Sequence, residues 1–204
     1  MGNKIVTIGR QFGSNGRNIG RAVAEKLGVN LYDKELLKLA AKNSGVCEEL
    51  LQNLDEKPNK SFLYSVVMDP YAFAYSYNNS DYTMNINQQA FQATFDTIKA
   101  IADRESCVIV GRCSDYILRD YPDVLNVFIY APLEARIKTV MQRFPELTEN
   151  KAKDQINKED KARASYYNYY SSKKWGKMDS YHLCIDSSRM SIEDAADIIV
   201  RALV

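Results

Sequence analysis

Residues 4–28, KIVTIGRQFGSNGRNIGRAVAEKLG, set the tightest limit on what this chain can fold into. KIVTIG (4–9) is a short β-rich run, consistent with a strand buried in a parallel sheet. Ile19, Ala22, Val23, Ala24 and Leu27 then recur at helical spacing and predict a helix over 16–27 with one buried stripe. Gly28 follows as its terminator. Between strand and helix lie Gly9, Gly13 and Gly16. A glycine-rich turn at a helix N-terminus can aim several backbone N–H groups at one anion, because glycine tolerates the backbone angles and the close approach. The common phosphate-loop pattern G-x-x-x-x-G-K-[ST], aligned on Gly16, puts Gln11 at its first glycine, Arg17 at its lysine and Asn18 at its hydroxyl. Arg17 keeps a cation where the lysine would stand, with different geometry. Two readings stay open: a phosphate cradle with altered chemistry, or a glycine-rich turn flanked by surface arginines (Arg10, Arg17, Arg21).

The rest of the chain repeats the strand–helix rhythm. VNLY (29–32), CVIVG (107–111), NVFIYA (126–131) and HLCID (182–186) read as strands. KELLKLAAK (34–42), a stretch from about Gln88 to Arg104, and LEARIKTVMQR (133–143) read as helices. Ser191 to Asp194 resembles a capping box opening a last helix. Strands separated by helices predict a three-layer α/β domain, a parallel five-stranded sheet with helices on both faces. Two stretches break the rhythm. Residues 55–104 are a candidate insert, rich in Tyr64, Tyr71, Tyr75, Tyr77 and Tyr82, with YNNSDYTMNIN (77–87) loop-like. Residues 144–181 are a candidate lid. The helical part of that lid has few large apolar residues beyond Ile156, so it should stand partly in solvent. YYNYYSSKKWGK (166–177) could stack on a base, pack as a hinge under the lid, or meet another subunit.

Composition excludes several classes. A length of 204 residues suits one domain over 1–204. The net charge of +1 gives no global pull toward nucleic acid or membrane, and no apolar run is long enough to span a bilayer. Cys47, Cys107, Cys113 and Cys184 include no C-x-x-C pair, which fits free thiols in a reducing compartment and a cytoplasmic protein. One histidine, His182, argues against zinc chemistry and against a histidine-based nucleophile scheme. No residue is assigned as a dedicated metal ligand.

Further segments carry a resemblance. LGVNLYDKELL follows the first helix, CVIVGRCSDYIL lies on the third strand, and NKEDKARASYYNYY precedes YHLCIDSSRMSIEDAADIIV. In this order they resemble the cytidylate kinases, and more closely the cytidylate kinase-like proteins, from Lys4 to Val204. The resemblance implies a P-loop nucleoside monophosphate kinase fold with a helical acceptor-binding insert and a lid. It also implies transfer of the ATP γ-phosphoryl to CMP or dCMP with Mg²⁺. ATP would be held by Gly9, Arg10, Gln11, Phe12, Gly13, Ser14, Asn15, Gly16, Arg17 and Asn18. Arg17 stands at the loop lysine, and Asp33 at the aspartate near the transferred phosphate and metal. Gly111 and Arg112 match a Gly-Arg-Asp segment whose arginine holds the acceptor phosphate. Its aspartate is Cys113 here, with Asp115 nearby. Asp160 and Arg163 match an Asp-x-x-Arg segment that recognises the acceptor. Arg17, Asp33, Arg112 and Arg163 are the catalytic candidates. Mg²⁺ could be held through Asn18, Asp33 or water. Two alternatives stand beside this reading: a weak or inactive nucleotide-binding regulator, and a small-molecule kinase with a non-nucleotide acceptor. The sequence does not specify oligomeric state.

Overall fold

The computed structural model describes residues 3–45, 47–56 and 72–203, with backbone alone at 50, 53, 54 and 72–86. Five strands form one parallel sheet: β1 (Ile5–Arg10), β2 (Asn30–Tyr32), β3 (Cys107–Val110), β4 (Val124–Tyr130) and β5 (Leu183–Asp186). Their order is β2-β3-β1-β4-β5. The central register pairs Ile5 with Cys107 and Val124, and Ile8 with Val110 and Val127. Eight helices are described: α1 (Gly16–Leu27), α2 (Glu35–Ser44), α3 (Glu48–Leu54), α4 (Ala72–Arg104), α5 (Ser114–Ile117), α6 (Leu133–Arg143), α7 (Glu149–Ser171) and α8 (Ile192–Ala202).

The central strands β1, β3 and β4 are mostly apolar because both faces are covered. Val6, Ile8, Val108 and Val110 pack toward α1 and α8, onto Ile19, Val23, Ala195 and Ile199. Their neighbours Ile5, Cys107 and Ile109 face the other way, onto Leu36 of α2, Ile98 and Ile101 of α4, and Ile117 and Leu118. This period-2 split sandwiches the sheet between two helical layers. The first half of helix α7 is largely exposed, but it seats a narrow stripe, Ala152 and Ile156, on Ile137 and Val140 of α6.

Local signals account for several ends. Ser191 and Asp194 form the reciprocal capping box of α8. His182 has a structural part: its Nδ1 accepts from the Asn126 N–H at 3.2 Å. Gly28 closes α1 at φ 65°, donating to Ala24 and Glu25 carbonyls, and a Cβ there would meet nothing within 4 Å. Gly28→Ala therefore isolates backbone strain: it should cost about 1–2 kcal/mol, read as a shift of the urea midpoint without change of slope. One expectation fails. Residues 77–87 belong to the continuous helix α4, not to a loop. The stretch contains no glycine or proline, and its Asn, Ser and Asp residues only mildly disfavour helix. The tyrosines at 64 and 71 lie outside the described residues.

Candidate functional site

The strands deliver the candidate residues to one edge of the sheet, beyond their C-terminal ends. β1 ends at Arg10, Asp33 follows β2, and Gly111-Arg112 follows β3. That edge is where ligands collect in open α/β sheets.

The loop after β1 is anchored on β4. The Gln11 N–H donates to the Ile129 carbonyl at 3.0 Å, and Gln11 Oε1 accepts from the Ala131 N–H at 3.1 Å. Ser14 Oγ lies 2.9 Å from the Gln11 carbonyl and 3.1 Å from that of Ile129. Its hydroxyl thus braces the loop from inside. Gly13 adopts φ 80°, and a Cβ there would press on the Arg136 carbonyl at 2.9 Å. Asn15 is left-handed at φ 59°, and its side chain does not cap α1. The first turn of α1 also carries no acid. Gly16, Arg17 and Asn18 therefore present first-turn N–H groups that have no acceptor within the helix. An uncapped helix N-terminus beside a left-handed turn suits an anion.

Two residues of α7 grip this loop by its backbone. Asp160 Oδ1 accepts from the Phe12 N–H at 2.7 Å, and its other oxygen lies 2.5 Å from Arg136 Nη1. Arg163 Nη1 donates to the Arg10 carbonyl at 3.2 Å, and its guanidinium lies over the Phe12 ring. Asp160 and Arg163 thus stand against the loop rather than in a separate pocket. Arg136, buried, ties the Ala131 and Phe12 carbonyls to Asp160. That makes it a strut of the loop.

Asp33 is nearly buried between two guanidiniums. Arg17 Nε lies 2.5 Å from Oδ2, and Arg112 Nη1 lies 3.4 Å from Oδ1. The Arg17 contact is charge against charge without hydrogen-bond alignment, since that buried Nε has no hydrogen-bond partner. Arg112 projects from three consecutive left-handed residues: Gly111, Arg112 and Cys113, at φ 77°, 55° and 55°. Such backbone is costly for residues with a Cβ and persists only where the surroundings enforce it. Here it turns the Arg112 N–H and side chain inward. Arg112 is 2% exposed, and its Nη2 donates to Asp55 Oδ2 at 2.8 Å.

Glu56, which sequence reasoning missed together with Asp55, completes the cluster. Its Oε1 accepts from Arg10 Nη1 at 2.6 Å and from the Arg112 N–H at 2.8 Å, and Oε2 lies 3.3 Å from Arg163 Nε. Burial alone would push this carboxyl up, but Arg10 and Arg163 win and hold it well below the usual carboxylate range. Asp55 moves the other way: burial raises it against the pull of Arg112, and Glu56 adds to the rise. Burial, helped by Arg10, lowers Arg163 to about 10. Asp115 stands apart, accepting from the Tyr167 hydroxyl at 2.6 Å under an aromatic cluster that includes Tyr166, Tyr170 and Trp175.

A cleft of about 950 Å³ opens between the loop, the start of α2, the end of α6 and α7. Arg10, Arg17, Arg21, Lys34, Arg143, Lys158, Lys161 and Arg163 line it, against four carboxylates: Asp33, Asp55, Glu56 and Glu159. Cations prevail, as a polyphosphate requires. Among the described residues, no cluster of three or more His, Cys, Asp or Glu could hold a metal ion. Mg²⁺ commonly needs only one or two protein oxygens besides phosphates and waters. Asp33, flanked by Arg17 and Arg112, and Asn18 both line the cleft.

A family model described as the cytidylate kinase-like family matches residues 5–189. The chain belongs to the cytidylate kinase-like family. A cytidylate kinase of Methanosarcina barkeri (strain Fusaro / DSM 804) is 23% identical over 105 residues. That match covers 52% of this chain and 58% of the relative. Among solved structures, an uncharacterized protein from Eubacterium ventriosum ATCC 27560 aligns with TM-score 0.70 and 29% identity over 98% of both chains. Shikimate kinase from Bacteroides thetaiotaomicron aligns with TM-score 0.55 and 13% identity over 98% of both chains. At that identity the second likeness speaks for the P-loop kinase fold alone. Like other members of its family, the chain has a kinase-like fold. Among the described residues no helix is long and apolar enough to cross a membrane.

Proposed function

We propose that this protein moves the γ-phosphoryl of ATP to a nucleoside monophosphate of the CMP or dCMP type, in the cytoplasm. The observation that carries the reading is the cationic cleft, where an uncapped helix N-terminus, Arg17 and Asp33 meet. The cytidylate kinase of Methanosarcina barkeri supports the choice of acceptor. In this reading the N–H groups of residues 16–18 bind the β- and γ-phosphates. Arg17 neutralises charge as it builds on the transferring phosphoryl. Asp33, Asn18 or water would hold Mg²⁺, which would supply charge neutralisation on the phosphates. An oxygen of the acceptor phosphate forms the new bond to the γ-phosphorus, and the bond to the β-phosphate oxygen breaks. Arg112 orients that acceptor phosphate. Residues 144–181, acting as a lid, exclude water through α7, whose Asp160 and Arg163 hold the loop in register.

A coupled assay of ADP release with ATP, Mg²⁺ and a panel of nucleoside monophosphates tests this. CMP or dCMP should give the highest kcat/KM. A second reading, a small-molecule kinase, draws on the acceptor side, where Asp55 and Glu56 already neutralise the arginines. Turnover with sugars or cyclic acids, and none with nucleotides, would establish that reading instead. Saturable ATP binding without any turnover would point to a regulator.

A further inference from the structure

The acceptor-side arginines are not open to an incoming anion. Glu56 takes Arg10, Arg163 and the Arg112 N–H at once, while Asp55 takes the Arg112 guanidinium. One carboxylate facing two guanidiniums and an inward-turned N–H is the arrangement a phosphate group would receive. The space beside it is small. Two small pockets touch Arg112, one along Asp55 and one along Glu56, of about 20 Å³ each. Each has room for about one water, not for a phosphate. The large cleft is lined by Asp55 and Glu56 but not by Arg112. The two acids therefore separate the cleft from the arginine. Glu56 also holds a left-handed backbone, φ 49°, which a non-glycine residue rarely adopts unless its side chain is fixed. Gly111 permits the arrangement: a Cβ there would collide with the Glu56 carboxylate and the Arg10 guanidinium.

We infer that Glu56 and Asp55 are an internal occupant of the acceptor-phosphate site, which the acceptor's phosphate must displace to reach Arg112. The inference rests on the reading of Arg112 as the acceptor-phosphate ligand. The exchange is one anion for another. The arginines stay paired throughout, and the buried cluster never carries an unpaired dianion. Occupancy by the chain's own acids lowers acceptor affinity by the share of molecules in which the site is filled. It also selects against weaker anions, because only a ligand with more charge or more acceptor oxygens than a carboxylate wins the exchange.

The test follows the Arg112 backbone amide by ¹⁵N NMR while orthophosphate is titrated into the wild type, Glu56→Gln and Asp55→Asn. Orthophosphate should bind at Arg112 at least about tenfold more tightly in Glu56→Gln than in the wild type, with a smaller gain in Asp55→Asn. Equal or weaker binding in both variants would overturn the inference. Should the variants fail to fold, a structure of the wild type with CMP decides. Glu56 must have left the Arg112 N–H, with the CMP phosphate in its place. A CMP phosphate bound elsewhere, with Glu56 retained, would overturn the idea. The orthophosphate result is independent of nucleotide turnover, so a failed CMP assay alongside tighter phosphate binding would reject the nucleotide reading alone.

Discussion

Replacing Arg112 with methionine should destabilise the protein by about 3–5 kcal/mol. The side chain is 2% exposed and pairs with Asp33 and Asp55 inside the fold. Methionine would fill much of the volume but leave Asp55 without its guanidinium and Asp33 with Arg17 alone, and removing one partner of a buried pair costs more than the pair itself contributes. The loss should depend on pH. Burial already raises Asp55, and Arg112 opposes that rise. Without Arg112 the rise grows. A carboxyl whose folded value lies above its unfolded value makes the folded state bind the proton more readily. The deficit is then full above the folded value and shrinks as pH falls through it. Urea unfolding at about pH 8 and about pH 5 should show the larger loss at the higher pH. A loss below about 1 kcal/mol at both, the range of an exposed ion pair, would mean that Arg112 does not carry this cluster.

Arg17→Ala should act on chemistry instead of stability. Arg17 is the most exposed member of the ion-pair group, at 36% of its side chain, and it stands where the common loop pattern has lysine. Removing one preorganised charge from a transferring phosphoryl typically costs about 10²–10³-fold in rate. The rate of ADP formation, or ATP affinity by calorimetry, should fall on that scale, with the melting temperature little moved. Arg17→Lys should recover part of the loss, since lysine restores the charge without the two-pronged grip. An unchanged rate in Arg17→Ala would remove this residue from the mechanism.

How far the molecule could be read from its residues depended on the kind of information each feature carries. The five strands were visible because a sheet covered on both faces favours short, largely apolar runs such as CVIV and IVTI. Gly28 and the Ser191–Asp194 box announced helix ends because those ends have local chemistry. The stretch 77–87 misled, since its asparagines and serine look like a loop while nothing in it forbids a helix. In the site, Gly9 to Asn18, Asp33 and Arg112 were legible as glycines and charges at strand ends. Asp55 and Glu56 were not. They follow a seven-residue helix with no motif around them, and their partners lie 46 to 107 positions away. Only folding brings those charges together. Ser14 showed the converse: a hydroxyl in a phosphate-loop position that turns inward to brace the backbone.

Helix α7 runs unbroken for 23 residues. Near its middle Asp160 and Arg163 hold the loop after β1. Two turns later Tyr170 stacks on Phe91 of α4 and Tyr167 holds Asp115 behind Arg112. This one rod thus touches both the loop after β1 and the small pocket beside Arg112. In the proposed reaction its tilt is a coordinate shared by donor and acceptor, which couples their affinities. Whatever factor a bound nucleotide applies to acceptor binding through this rod, the acceptor must return to the nucleotide in equal measure.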